Sequence, residues 1–463
     1  MDAEHSSTAP RLYGIRVVRR LVNTYSVSAI GSAMVGVAIA FVAYQRSGSI
    51  VLTVVVLAAN ALPALVLMPL AARLSLGRDP RTVEIGGLVA KAALSLAVAG
   101  VAAAGRLDYG VLLVSNLLNG SISALGAPAW PRLSQSIAPE GRLADLTALF
   151  GGVAAAASIV GALVGGVVVT AVGITWVFVA NAISYLPMAF VVRGLPGTTV
   201  SSSHRRGAVR TGLRTVERIA TLKRAFGLAA LLNLAAWPVL STLPAVAGDI
   251  DGHAHVLGYL TGSFYAGAAV VAWVTARLRR QFAYSGILFA GFLTAGLMLL
   301  AQAALTSWRT PGYDAVAVAV LTLVPIGLAV SIAATLLQTV VQLAAPSDEE
   351  GPVLVVYATA VTVLTPIGGL ALGAAADALS LWWALALSGL VLTTVCLLVR
   401  TRLVVFDTLE PTTDAPRRAA THLWTVGHLL APELVHHALA HVYHGATIRH
   451  DGGGAVAPEP ATP

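Results

Sequence analysis

Run after run of about 20 mostly apolar residues, the length an α-helix needs to cross a bilayer, fills this chain from end to end. Twelve such runs are predicted, at roughly 22–45, 50–72, 84–105, 109–129, 146–171 and 174–193, then 226–247, 257–276, 284–306, 315–341, 353–376 and 381–400. The fold class that follows is an all-α polytopic membrane protein. The balance of side chains agrees: 57% of the 463 residues are hydrophobic and 11% charged, where a soluble domain carries roughly a quarter charged.

A net charge of +8 raises the question of nucleic acid. Position answers it, because the basic residues lie between apolar runs and form no single patch, so no nucleic-acid partner is expected. They also orient the chain. With the N-terminus inside, one face receives Arg73, Arg78, Arg81, Arg132 and Arg142, the basic stretch from Arg193 to Arg224, then Arg277, Arg279, Arg280, Arg400 and Arg402. The other receives Arg46, Arg106 and Arg309. Both termini are therefore expected in the cytoplasm. The polar, basic opening residues read as a retained tail, since the first apolar run lacks a cleavage site. The single cysteine, Cys396, excludes an internal disulfide and a cysteine-based metal cluster, and its apolar surroundings predict packing.

One element occurs twice. The stretch PAWPRLSQSIAPEGRLADLTALFGGVAAAASIVGALVGG, Pro128 to Gly166, reappears about two hundred residues later as QLAAPSDEEGPVLVVYATAVTVLTPIGGLALG, Gln342 to Gly373. Setting Pro139 against Pro346 brings Gly161 onto Gly368, and the small-residue runs Gly161, Gly165, Gly166 and Gly368 to Gly373 fall together. Small residues at this spacing let membrane helices approach closely. A repeated element at this separation predicts two pseudo-symmetric six-helix bundles.

The expected domains are a tail (1–20), a first bundle (21–193), a basic linker (194–224), a second bundle (225–402) and a histidine-rich tail (403–463). Within the linker, VRTGLRTVERIATLKRAFG has the pattern of a basic amphipathic helix for an anionic leaflet; the simpler reading is a solvated tether. In the tail, Pro432 to His444 predicts an interfacial or docking helix. His437 and His441 stand at metal-sharing spacing, but no carboxylate or cysteine completes a site.

Two six-helix halves joined by a basic cytoplasmic loop resemble the major facilitator superfamily. SVSAIGSAMVGVAIAFVAYQRSGS, ANALPALVLMPLAARL, ANAISYLPMAFVVR, GYLTGSFYAGAAVVAWVTARL and TPIGGLALGAAADAL resemble its enterobactin-exporter-like and macrolide-efflux-like branch over roughly residues 20–400. The resemblance implies alternating access, a central cavity lined by spans 1, 4, 7 and 10, and usually proton antiport. On that basis Asn116, Asn119, Asn233, Trp237 and Gln338 are the cavity candidates, with helix–helix hydrogen bonding as the other reading of each asparagine. The superfamily's cytoplasmic motif is altered. Ala72 stands for its glycine and Leu76 for its aspartate, leaving Arg73, Asp79 and Arg81 as the gating candidates or as a topogenic loop alone. The span 4 arginine of many proton-coupled exporters is Asn116 here.

Charges inside the spans are few. Lys91 marks a site or snorkels to the interface; Glu84, Asp108, Asp145 and Asp377 lie near span ends. Phosphate-loop, nucleophile-elbow and zinc-protease motifs are missing, so neither enzyme activity nor a cofactor is expected. The expected function is export of a hydrophobic or amphipathic small molecule (a drug, siderophore or secondary metabolite) by a monomer in a bacterial inner membrane, with protons as coupling ion. Uptake, lipid movement, and a non-transporting sensor or scaffold are the rival readings.

Overall fold

The computed structural model describes residues 12–75, 78–195, 208–307 and 313–409. Among these there is no strand, and twelve helices are long and apolar enough to cross a membrane. In chain order, spans 1 to 6 are Arg16–Ser47, Ile50–Leu67, Pro80–Ala103, Tyr109–Gly126, Asp145–Val172 and Ile174–Arg193. Spans 7 to 12 are Ala220–Ile250, Ala254–Leu278, Tyr284–Leu305, Ala315–Ala344, Glu350–Ala378 and Leu381–Arg400. Each answers to one apolar run of the sequence. Short connections make successive spans antiparallel, so one end of the bundle carries the linker and the other, the far end, carries the span 1–2 and span 11–12 turns.

Two spans are interrupted where proline removes a backbone donor. Span 2 is helical over Ile50–Ala59 and again from Leu62, with Pro63 opening the second piece. The break at Asn60 presses its carbonyl onto span 4, where a Cβ on Gly120 would collide with it. In span 7, Pro238 follows a wide turn over Leu232–Ala236, closed by the Trp237 N–H donating to the Leu232 carbonyl at 3.1 Å.

The repeated element packs the same way in both halves. On span 5, a Cβ at Gly161 would lie 2.6 Å from the Ile30 carbonyl oxygen, and one at Gly165 2.7 Å from Met34 Cα, both on span 1. On span 11, a Cβ at Gly368 would lie 2.5 Å from the Leu234 carbonyl oxygen, on span 7. Five positions beyond Gly161 and Gly368, Gly166 and Gly373 instead face the opposite half. Their Cβ positions fall 2.6 Å from the Ala254 carbonyl oxygen of span 8 and 3.0 Å from the Val51 nitrogen of span 2. Span 5 against span 8 and span 11 against span 2 thus seam the two bundles together.

The halves differ inside. The second holds one continuous apolar core through Phe264, Phe292, Leu323 and Leu336. The core of the first is divided: one cluster gathers Leu21, Leu88, Leu133 and Phe150, a second Ile39, Val56, Leu112 and Phe178, and a small third Met34, Ala38 and Val177. Beside the first cluster Tyr25, Trp130 and Phe150 form an aromatic triad, Tyr25 stacked on Trp130 at 5.5 Å and Phe150 edge-on to both.

The linker's helix, Ala208–Arg218, is not a free tether along its length. Thr215 Oγ1 donates to Glu349 Oε2 at 2.6 Å and Arg218 Nη2 to the same oxygen at 2.8 Å, which docks the helix on the start of span 11. Cys396 is buried, its thiol 3.5 Å from the Phe289 carbonyl. His437 and His441 lie outside the described residues.

Candidate functional site

Polar side chains crowd where the first half's core divides. Two neighbouring cavities occupy that region. The larger, about 630 Å³, lies between the halves: spans 1, 2, 3, 5 and 6 form one wall, and Leu240, Leu257, Thr261 and Tyr265 of spans 7 and 8 the other. The smaller, about 310 Å³, lies within the first half, among spans 1, 2, 3, 4 and 6. Ser32, Gly36, Leu57, Lys91 and Tyr185 border both, so the two form a continuous site.

The larger cavity is mostly apolar (Val37, Ala40, Leu57, Leu88, Leu240) and carries Glu84, Tyr25 and Lys91 in its lining. The smaller is lined by amides and hydroxyls: Asn60, Ser95, Ser115, Asn116, Asn119, Ser123 and Asn181. Asn119 Nδ2 donates to Asn60 Oδ1 at 2.9 Å, tying span 4 to the break in span 2. Asn116 is buried and donates to the Leu112 carbonyl of its own helix at 3.2 Å. Asn181 donates to Ser95 Oγ at 3.1 Å, and its Oδ1 is buried without a hydrogen-bond partner. Ser32 and Tyr185 share a hydrogen bond of 3.1 Å between the cavities. A few oriented polar groups on an apolar wall are what a small-molecule site requires.

Of the five cavity candidates, Asn116 and Asn119 line the smaller cavity, and the other three line neither cavity. Asn233 joins helices, its Nδ2 donating to the Ala229 carbonyl at 2.8 Å and its Oδ1 accepting from Thr365 Oγ1 at 2.8 Å. Trp237 packs on the second half's core, 5.6 Å from the Phe264 ring. Gln338 is exposed on span 10, which contributes to neither cavity. Of the expected spans 1, 4, 7 and 10, the first three contribute to this lining and span 10 does not, and most of the lining comes from the first half. Lys91, read from the sequence as marking a site or snorkelling, stands in the wall of both cavities. Glu84, read from the sequence only as a carboxylate near a span end, lines the larger cavity, and Asn181 and Tyr185 are lining residues that the sequence reading did not name. The i, i+4 placement of Asn181 and Tyr185 on one face of span 6 was the available signal.

The gating candidates form a local structure. Asp79 caps span 3, accepting the Arg81 backbone N–H at 2.9 Å and its Nε at 2.9 Å, while Arg81 Nη1 also donates to the Leu195 carbonyl after span 6. The bonded Arg81 side chain holds the Asp79 carboxyl below the usual carboxylate range. Arg73 is on the helix Leu62–Ser75, and its side chain and Leu76 fall outside the described residues.

At the far end the halves are closed onto each other. Asp377, at the end of span 11, accepts the Ile50 N–H at 3.0 Å, the Val51 N–H at 3.3 Å and the Ser49 hydroxyl, capping span 2 across the seam. Thr170, at the matching place on span 5, accepts the His255 N–H in the first turn of span 8 at 3.1 Å.

A two-bundle membrane fold with a cavity between its halves sets a strong expectation of family, and the comparisons agree. The family model for the transmembrane secretion effector matches residues 6–424. The chain belongs to that family, within the major facilitator superfamily. No curated protein matches it. Among solved structures, this major facilitator chain is similar to a bacterial homologue of the human lysosomal transporter Spinster in an inward-facing, unoccupied conformation (13% identity, 87% of this chain and 100% of that one, TM-score 0.60). It is similar as well to a bacterial homologue of the iron transporter ferroportin in an inward-facing state (14%, 85% and 98%, TM-score 0.63). A third is a POT family transporter in complex with 5-aminolevulinic acid (13%, 86% and 98%, TM-score 0.66). At these identities the likeness is one of fold.

Proposed function

We propose that this protein is a secondary transporter that exports a hydrophobic or amphipathic small molecule by alternating access. The observation that carries the reading is the cavity of about 630 Å³ walled by both halves, beside a far end sealed by Asp377 and Thr170. A cavity at the seam of two pseudo-symmetric bundles is exposed to each side in turn when the bundles rock. The arginine distribution favours a cytoplasmic linker end, and with the far end sealed this supports a conformation that loads substrate from within. The resemblance to the enterobactin-exporter-like and macrolide-efflux-like branch favours export from a bacterial inner membrane by a monomer. Glu84, a carboxylate in the cavity wall, is the group positioned to carry a coupling proton.

The test is accumulation of fluorescent amphipathic dyes and antibiotics in expressing cells, with and without a protonophore, beside Gly36→Phe. Gly36 borders both cavities, and a Cβ there meets nothing within 4 Å, so a side chain can start from this position and occupy the site. Lower accumulation, abolished by the protonophore and by Gly36→Phe, is the expected result. Exclusion that survives the protonophore overturns proton coupling, and exclusion that survives Gly36→Phe overturns the cavity. Accumulation above empty cells reverses the direction.

A further inference from the structure

Glu84 and Lys91 lie on one helix, seven residues apart, and seven residues of helix rise about 10 Å over roughly two turns. That spacing returns both side chains to the same face, and the structure shows them in the wall of the same cavity. Neither has a hydrogen bond or ion pair among the described residues, and they act on each other only through their fields. A charge inside a membrane protein is costly unless something meets it, and such residues mark the path of a substrate or ion. Among the described residues no side chain or backbone group is bonded to either charge. The cavity leaves both ends open to a ligand.

The surroundings of the two charges differ. Lys91 stands where the larger cavity joins the smaller, beside the amides Asn116, Asn119 and Asn181, side chains with N–H donors for an oxyanion. Glu84 faces the larger cavity, whose lining it shares with Tyr25, Leu88 and Met188. Leu88, four residues after Glu84 and three before Lys91, lines the cavity between them.

We propose that the transported molecule is a zwitterionic amphiphile. Its acidic group is held by Lys91 and the neighbouring amides, its basic group by Glu84, and its apolar body lies along Leu57 and Leu88. This rests on the transport reading above and narrows its substrate class from neutral or amphipathic to doubly charged.

Four dansyl-alkyl probes that differ only in their ends test it: carboxylate with ammonium about 10 Å apart, carboxylate alone, ammonium alone, and neither. Binding is read by dansyl fluorescence on the purified full chain in an uncharged maltoside detergent. The zwitterion is expected to bind at least about tenfold tighter than the neutral probe, with the single charges between them. Lys91→Gln is expected to remove the advantage of the carboxylate alone, and Glu84→Gln that of the ammonium alone. Lys91→Arg keeps the charge and should keep the ranking, which separates lost charge from lost folding. Displacement of the zwitterion by a short-chain phosphatidylethanolamine assigns the same chemistry to a lipid headgroup; no displacement assigns it to a soluble amphiphile.

Equal binding of all four probes overturns the proposal, as it would if Glu84 and Lys91 simply neutralised each other. So does a ranking that survives both Gln variants, or binding of none. Gradient-driven movement of the neutral probe into inverted vesicles is followed separately. Its failure counts against the transport reading, whereas loss of the charge ranking with that movement intact counts against this inference alone.

Discussion

Asp377 Oδ1 accepts the backbone N–H of Ile50 at 3.0 Å, a bond between the last turn of span 11 and the first turn of span 2. The two residues belong to opposite halves, and the same carboxylate takes the Val51 N–H and the Ser49 hydroxyl. A carboxylate on a helix N-terminus is favoured by both the orphan N–H groups and the helix dipole. Because the bond spans the seam, it exists only while the far end is closed.

Asp377→Ala should therefore shift the conformational balance toward an open far end. The site is partly exposed, so its worth is set at about 1 kcal/mol, roughly a fivefold change in population. Spin labels at Leu52 and Leu379, both exposed near this end, report the shift as a longer-distance population. An unchanged distance distribution in Asp377→Ala would show that the cap does not latch the halves.

The seam itself depends on missing side chains. Gly166→Ala places a Cβ 2.6 Å from the Ala254 carbonyl oxygen and 3.0 Å from Gly258 Cα, so backbone must move. A loss of about 1–3 kcal/mol is expected, seen as a lower apparent Tm in detergent. Gly86→Ala, with nothing within 4 Å of the new atom, should leave Tm unchanged or slightly raised. Equal effects at the two positions would disprove the close-approach explanation.

Glu349 holds the linker helix through Thr215 and Arg218. Arg218 is 64% exposed, which keeps that pair modest, at about 0.5–1 kcal/mol. Glu349→Gln should speed amide exchange across 208–218 while exchange within span 11 stays as it was. High salt should narrow the difference between the two proteins.

Asp79 carries a pH signature. Its folded carboxyl titrates below the unfolded value, so the stabilisation is complete above the usual carboxylate range and is lost as pH falls through the lowered folded value. Asp79→Ala should loosen the first turn of span 3 by about 1 kcal/mol at neutral pH, and Asp79→Ser should restore most of it. The exchange difference between wild type and Asp79→Ala should be full at about pH 6 and shrink below about pH 4. A difference that is constant over that range would remove the carboxylate from the explanation.

Much of this architecture was readable one residue at a time. The twelve apolar runs predict the twelve spans, and the alignment of Gly161 with Gly368 predicts a shared packing role that the structure displays on spans 1 and 7. The cavity was less readable. Asn116 and Asn233 look alike in sequence, each an amide within an apolar run. One borders an open space; the other is spent on Ala229 and Thr365. Glu84 and Asp377 looked alike too, as carboxylates near span ends. One lines the cavity, and the other caps a helix of the opposite half.

Span number, class of fold, the doubling of the bundle and the sites of close helix approach are thus legible in the chain alone. These follow from hydropathy set against bilayer thickness and from the absence of a Cβ, both local properties of the chain. Which polar groups meet emerges from packing alone, because it depends on the rotation of each helix about its axis and on the neighbour it faces. Packing sets those rotations, and no single run encodes them. Lys91 and Glu84 share a cavity, and Asp377 reaches Ile50, because of how the helices turn.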